Sequence, residues 1–182
     1  MVAERARAAD LLSARPYRAP GQGMTGKTVN IEIPEAYFTL FDAKRGGLPE
    51  VIVANDALLA FPHAELFPWH LRVCLEVEET VQNGMPSPAE SKLLFGIGDA
   101  IEAVVLDGCT QLGAKNAHFL ARSTWNGVRE LELLFQVHDP EIADAALRQL
   151  LESRSWPREW EYRMREDAQW KEAGYVFAPI PL

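Results

Sequence analysis

The chain has 182 residues, of which 48% are hydrophobic and 24% charged, and these ordinary values exclude global disorder. Its formal net charge of −8 argues against nucleic acid as a partner, because binding to phosphates needs clustered Lys and Arg. No uncharged apolar stretch approaches the roughly 20 residues of a membrane-spanning helix, so we expect no membrane partner. Cys74 and Cys109 lack CxxC spacing; we therefore expect reduced thiols in a cytoplasmic protein, with no bound metal or cofactor.

The first residues of the chain differ in composition from the rest. Residues 1–23 are rich in Ala and Arg and are expected to form a poorly ordered tail, which a mis-assigned start upstream of Met24 would explain. A targeting segment is the alternative, but Glu4 and Asp10 depart from the acid-poor pattern of a transit peptide. We expect residues 24–182 to form a single α+β domain.

A β-hairpin is predicted over residues 36–54. The run AYFTLFDA indicates a strand, KRGGLP a turn and VIVA a second strand. Pro62 and Pro68 then interrupt regular structure. From Trp69 to Val77, apolar residues occupy every second position, which predicts a strand with one buried face.

Two helices are predicted from the residues at their starts. Ser87 is followed by proline and can cap a helix N-terminus, and Glu90 can complete a capping box. This helix is expected to end at Gly108. Asp139, also followed by proline, predicts a second helix in the same way.

Two strands, Ala117–Thr124 and Val128–Val137, are predicted between the helices, with a turn at Asn126-Gly127. A three-residue loop separates the apolar from the polar face better than a two-residue turn does. The resulting register sets Ala117, Phe119 and Ala121 opposite Phe135, Leu133 and Leu131. It also sets Arg122 opposite Glu130.

The predicted order over residues 69–165 is β-α-β-β-α-β, ending in the alternating segment Glu159–Arg165. This is the ferredoxin-like arrangement: an antiparallel sheet with both helices on one face and the strand order fourth, first, third, second. We expect the hairpin to precede this core and residues 166–182 to form a lid. The sheet face away from the helices, here called the outer face, would then be a free mosaic of charges: Arg72, Glu76, Arg122, Glu130, Glu132, Glu161 and Arg163.

Several short motifs together resemble a known family. They are AYFTLFDA with VIVAN, the NGMPSPAE turn, the ARSTWNGVRE hairpin and the late element DAQW. Their order along residues 35–175 is similar to that of the uncharacterised bacterial family called domain of unknown function 695, although Ala121 stands where its members usually have Gly. The resemblance implies no catalytic residues, since none are known for the family. Some relatives are joined to a domain like the protein inhibitor of ribonuclease E, which hints at regulation.

Six side chains are candidate binding residues. His70 begins the first core strand and His138 ends the third, so these two can meet on the outer face as a proton-handling or metal-binding pair, or be two ordinary exposed histidines. The remaining candidates can either bind a partner or have a purely structural role; they are Arg122, with Glu130 beside it, Arg129 and Trp170. In the structural alternative, Asp167 caps the turn that brings Trp170 over the end of the sheet.

No set of residues converges on catalysis. Cys74 on the outer face could act as a nucleophile, but no residue orients a base beside it, and Glu76 is expected to raise the thiol pKa. The segment Gly96-Ile97-Gly98 lies inside a helix and matches no phosphate-binding loop. We therefore predict no catalytic residues.

These observations favour a non-catalytic interaction or regulatory protein. We expect it to bind another protein, or itself as a homodimer, through the outer face or an edge strand. The alternative is a small-molecule-binding domain or an enzyme, with a pocket between the outer face and the N-terminal hairpin or the C-terminal tail. A concave pocket lined by Arg122, Glu130 and His70 would favour that alternative.

Overall fold

Six antiparallel strands form one sheet in the computed structural model, which describes residues 33–109, 115–125 and 130–178. The predicted tail over residues 1–23 and Arg129 lie outside these ranges. The strands are β1 (Phe38–Arg45), β2 (Leu48–Asn55), β3 (Trp69–Glu76), β4 (Ala117–Trp125), β5 (Glu130–Val137) and β6 (Trp160–Glu166). The helices are α1 (Pro88–Asp107), α2 (Pro140–Glu152) and the short α3 (Gly174–Phe177). Within the described ranges, no helix is both long and apolar enough to cross a membrane.

The strands lie in the order β1-β2-β4-β5-β3-β6. The fold is therefore α+β with a six-stranded antiparallel sheet. The four strands β4, β5, β3 and β6 are neighbours in the order expected from right-handed crossovers. The order of the whole sheet is not ferredoxin-like, because the hairpin of β1 and β2 extends the sheet by pairing with β4.

A two-residue turn closes this hairpin. Arg45 pairs with Leu48, and the two glycines between them, Gly46 and Gly47, have φ of +59° and +84°. A type I′ turn needs positive φ at both central positions, and glycine adopts it without a steric penalty. The turn thus fixes the register between β1 and β2.

The helices α1 and α2 cover one face of the sheet, here called the helix face. Leu94, Ile97 and Ile101 of α1 and Ala143 and Leu147 of α2 belong to one buried cluster. The same cluster contains the apolar residues that alternate along β3, which are Leu71, Val73 and Leu75. The predicted period of two is confirmed, because these side chains point at the helices.

The expectation of a free outer face is wrong. A second buried cluster covers part of it, and the residues come from three places. The strands supply Ile52, Ala54, Ala121 and Leu134; the segment after β2 supplies Leu58, Phe61 and Phe67; the tail supplies Trp170, Ala173 and Val176. Central strand β5 is consequently buried on both faces.

The predicted register between β4 and β5 is also wrong. Ala117 lies opposite Val137, two residues from the expected Phe135, and Phe119 lies opposite Phe135. A β-bulge then interrupts the pairing between Phe119 and Ala121. Such a bulge shifts the alternation of side chains by one position over the rest of the strand.

The bulge changes the face on which Arg122 lies. Leu120 and Ala121 both enter the outer-face cluster, so Arg122 points towards the helices. Its Nη2 atom lies 2.9 Å from Oδ1 of Asp99 on α1. The predicted pairing of Arg122 with Glu130 on the outer face is therefore wrong.

The helix starts follow the predicted local rules, with one exception. Ser87 Oγ accepts a hydrogen bond from the backbone N–H of Glu90 at 3.1 Å, and Asp139 Oδ1 accepts from that of Glu141 at 2.9 Å. The capping box is not formed, because the carboxylate of Glu90 instead binds Arg158 through both oxygens.

Leu147 and Leu151 lie one turn apart on α2 and test its orientation. Leu147 is fully buried, whereas Leu151 is 40% exposed. We expect Leu147→Ala to lower the free energy of unfolding by about 2–5 kcal/mol, since it leaves a cavity. The control Leu151→Ala should lower it by about 1 kcal/mol or less. Urea denaturation followed by tryptophan fluorescence measures both changes, and equal losses would contradict this orientation.

Candidate functional site

A cleft of about 190 Å³ lies on the outer face beside the second cluster. Four arginines line it: Arg45, Arg72, Arg163 and Arg165. The other lining residues are His70, Glu132, Leu134, Glu172 and Tyr175. The hairpin, three strands and the tail therefore all contribute to one site, and cations predominate there in a chain of net charge −8.

Glu132 on β5 is the centre of the ionic network at this site. Its side chain is fully buried. Arg45 donates hydrogen bonds to both carboxylate oxygens at 3.1 Å, and Arg72 donates to Oε1. The hydroxyl of Tyr175 donates to Oε2 at 3.0 Å. One carboxylate thus joins the hairpin, the middle of the sheet and the C-terminal tail.

Two further carboxylates balance the charge of Arg45 and Arg72. Arg45 also binds Glu50, whose Oε1 accepts a hydrogen bond from the Ser123 hydroxyl at 2.5 Å. Arg72 also lies 3.1 Å from Oε2 of Glu130. Each of these two arginines therefore contacts two carboxylates.

The arginines determine the ionisation of Glu132. Burial by itself would raise the pKa of this carboxyl group. The hydrogen bond and charge of Arg45, together with the charge of Arg72, outweigh burial and hold the pKa of Glu132 below its ordinary value. Glu132 is consequently a carboxylate at neutral pH.

Arg163 and Arg165 on β6 are placed differently. In the pairing of β3 with β6, Arg163 lies directly opposite Arg72 and Arg165 directly opposite His70. Both β6 arginines are exposed and line the cleft, and within the described ranges neither guanidinium group has a hydrogen bond or an ion pair. Like charges directly opposite each other destabilise a sheet. The two β6 arginines therefore bring positive charge to this corner of the cleft, which also contains the carboxylate of Glu172.

His70 adds a neutral polar group to the same corner. Burial lowers the pKa of His70, despite the nearby side chain of Gln136 and the carboxylates of Asp167 and Glu172. The imidazole ring is therefore uncharged at neutral pH, and the positive charge of the cleft comes from its arginines.

The turn at Asp167 fixes the tail beside the cleft. The Asp167 carboxylate accepts hydrogen bonds from the backbone N–H groups of Lys171 and Glu172, both at 2.8 Å. Trp170, in this turn, has a φ of +54°, which lies in the left-handed region. The predicted role of Asp167 as the cap of this turn agrees with the structure.

Trp170 is a buried anchor of the tail. Its indole N–H lies 3.0 Å from the carbonyl oxygens of both Ala64 and Phe67. Its ring stacks on Phe61, with the ring centroids 5.8 Å apart. These contacts support a structural role for Trp170, which was one of the two roles that the sequence left open.

Of the predicted binding residues within the described ranges, His70 alone lines the cleft. Glu130 is bound to Arg72, and Arg122 lies on the helix face. His138 does not join His70, because His70 lies opposite Gln136 and the Nδ1 atom of His138 is 2.6 Å from the carbonyl oxygen of Leu66.

Sequence reasoning missed the other lining residues of the cleft as site residues: Arg45, Arg72, Glu132, Leu134, Arg163, Arg165, Glu172 and Tyr175. A signal existed for the two on β6, since the alternation in Glu159–Arg165 already placed them on the outer face. The expected strand order would have set that strand beside β3 and Arg72. No comparable signal places Arg45 or Tyr175, because their positions depend on how the hairpin and the tail dock.

Metal binding and thiol chemistry have little support. Among the described residues, no three His, Cys, Asp or Glu side chains are grouped so that they could hold a metal ion. Cys74 is buried on the outer face. Burial, reinforced by Glu130 and Glu132 against the opposing effect of Arg72, raises the pKa of Cys74 to about 12. Its thiol stays protonated at neutral pH and is not an activated nucleophile.

The fold and the cleft define an α+β domain whose outer face carries an arginine-lined site. The chain matches the model of a family of unknown function, DUF695, over residues 38–175. That match covers most of the chain, so the chain belongs to this family, and the resemblance seen in its motifs is confirmed. No curated protein and no solved structure matches the chain.

Substitution of Glu132 tests the ionic network. We expect Glu132→Gln to lower the free energy of unfolding at neutral pH by about 2–4 kcal/mol, since it removes the buried carboxylate that Arg45 and Arg72 share. Because folding lowers the pKa of Glu132, its contribution is present above the unfolded pKa of about 4.3. That contribution is lost as the pH falls through the folded value.

Urea denaturation of both proteins at neutral and acidic pH measures this difference. The matched control is Glu161→Gln, which removes an exposed carboxylate from the same sheet face. If the difference in the free energy of unfolding between wild type and Glu132→Gln stays constant on acidification, the lowered pKa assigned to Glu132 is refuted.

The two cysteines should differ in reactivity. Cys109 is exposed and Cys74 is buried with a raised pKa. We expect a thiol reagent such as DTNB at mildly alkaline pH to modify Cys109 in the folded protein and Cys74 only after unfolding. A Cys109→Ser variant isolates the second thiol, and rapid labelling of that folded variant would show that Cys74 is activated.

Proposed function

We propose that the protein is a non-catalytic binding domain whose outer-face cleft recognises a small anion with at least two negative charges. The observation that carries this proposal is the placement of Arg163 opposite Arg72, with Arg165 further along the same strand. Arg72 is already bound by Glu130 and Glu132, whereas neither β6 guanidinium group has an ion pair within the described ranges. An anion bound at this corner would supply the counter-charge that Arg163 and Arg165 lack.

The chemistry of the lining narrows the kind of anion. A guanidinium group presents a planar fork of donors that matches a carboxylate or a phosphate through two hydrogen bonds. The cleft, at about 190 Å³, is smaller than the roughly 300–1,000 Å³ of sites for drug-sized ligands. An inorganic phosphate, a pyrophosphate or a short polycarboxylate fits this volume better than a nucleotide does.

No reaction is proposed for this site. The Cys74 thiol is protonated at neutral pH, and the Glu132 carboxylate is engaged by two arginines and a tyrosine. Neither group is poised as a nucleophile or a base. The feature that remains, the pair of exposed arginines on β6 beside a small cleft, supports recognition.

Other expectations remain proposals. We propose that β3 to β6 with α1 and α2 are a ferredoxin-like unit that the hairpin extends, and the order β4-β5-β3-β6 supports this. A cytoplasmic location has the support of two free cysteines. Regulation, or a protein partner, is supported better at an edge strand than on the outer face, since the tail and the second cluster cover part of that face.

Anion binding can be measured by thermal denaturation with phosphate, pyrophosphate or citrate, each against sodium chloride of equal ionic strength. A ligand that binds the folded state raises stability by about 1.4–2.7 kcal/mol at roughly 10–100 times its Kd. We expect Arg163→Gln to weaken this binding about 10- to 100-fold, since it removes a charged hydrogen-bond donor. Without ligand, the same variant should be about as stable as wild type, because Arg163 is exposed and has no ion pair to lose among the described residues.

The matched control is Arg148→Gln on α2, which removes the same charge from an exposed position paired with Asp144 on the helix itself. We expect this control to bind anions like the wild type. If anion binding is weakened equally in both variants, the effect comes from the net charge of the protein and not from the cleft, and the proposal fails.

A further inference from the structure

We propose that β1 pairs with the β1 strand of a second copy of the chain, so that two sheets join across a two-fold axis. This inference does not depend on the anion cleft. Arg45 of β1 lines the cleft, but the β1 residues that face away from β2 do not, and the two exposed arginines of the cleft lie on β6 at the opposite edge of the sheet. Either proposal can therefore fail without the other.

The hairpin determines which backbone groups of β1 are available. The residues that flank a two-residue turn, Arg45 and Leu48, exchange backbone hydrogen bonds with each other. Alternate residues of β1 therefore bond to β2, and the remaining ones direct their N–H and C=O groups away from it. Those outward residues are Phe38, Leu40, Asp42 and Lys44.

This edge has few of the features that keep sheet edges apart. β1 is eight residues long, contains no proline, and pairs with β2 without a bulge. Leu40 is 58% exposed. The other edge, β6, differs because charged residues recur along its whole length. Long, flat edges that carry exposed apolar side chains are templates for pairing with another strand.

The charges on β1 are complementary to themselves in one antiparallel register. Asp42 and Lys44 are exposed and lie on the same face of the strand. A two-fold axis through Ala43 sets Asp42 of each copy opposite Lys44 of the other, giving two opposite-charge pairs. An axis through Asp42 would instead set two carboxylates against each other.

The same register also covers the exposed Leu40. Its diagonal neighbour on the second copy is Lys44, within reach of a long side chain. The methylene stem of that lysine can lie on the leucine while the ammonium group pairs with Asp42. The partner that fits this edge is therefore another β1 in antiparallel orientation.

Charge exchange at the two positions tests this interface in the full chain. Sedimentation velocity over a range of concentrations should show a monomer–dimer equilibrium for the wild type. We expect Asp42→Lys and Lys44→Asp each to weaken dimerisation about tenfold or more, because each sets like charges opposite one another twice. Arg148→Glu, a charge reversal on α2 away from β1, is the control and should leave the equilibrium unchanged.

A mixture of the two variants gives the decisive result. The Asp42→Lys chain carries two lysines and the Lys44→Asp chain two aspartates, so an equimolar mixture should form a heterodimer although neither variant associates well alone. The double exchange in one chain should likewise restore dimerisation to within about threefold of the wild type. A wild type that stays monomeric, or a mixture that does not associate, would overturn the proposal.

Discussion

The buried carboxylate of Glu132 is the interaction on which the arrangement of the outer face depends. It lies on β5, which is covered on both sides. Two arginines from different strands and a tyrosine from the tail converge on its two oxygens. Eighty-seven residues of sequence separate it from Arg45, so this contact holds the hairpin against the middle of the sheet. A carboxylate in such a position is tolerated only because every partner is present.

Covering both faces of the sheet restricts where a ligand can bind. The helices occupy one face, and the segment after β2 with the tail occupies part of the other. The arginines on the outer face fall into two groups. Those near Glu132 are neutralised within the protein, whereas those on β6 are not. The site is therefore the place where the internal balance of charge is incomplete.

Sequence reasoning succeeded where the determining interactions were local. The period of two in β3 and the caps at Ser87 and Asp139 depend on neighbouring residues, and all were predicted correctly. The face occupied by Arg122 was not, because it depends on a β-bulge between Phe119 and Ala121, where Leu120 and Ala121 pack into the same cluster as the segment after β2.

The site was harder to predict than the fold for the same reason. Its residues come from the hairpin, the sheet and the tail, and their meeting depends on docking across long stretches of sequence. The charges on the outer face could be predicted as a set. Which of them would be neutralised could not, because that requires knowing that Arg45 reaches Glu132 from the hairpin.

The anchoring of Trp170 has a practical consequence for handling this domain in isolation. The stacked indole and the residues after it seal Ile52, Phe61 and Leu134 from solvent. A fragment that ends after β6 would expose an apolar surface near an edge of the sheet, and this combination promotes aggregation. Any fusion or graft that borrows the domain should therefore keep the chain through Phe177, the last residue of α3, because Val176 belongs to the same cluster.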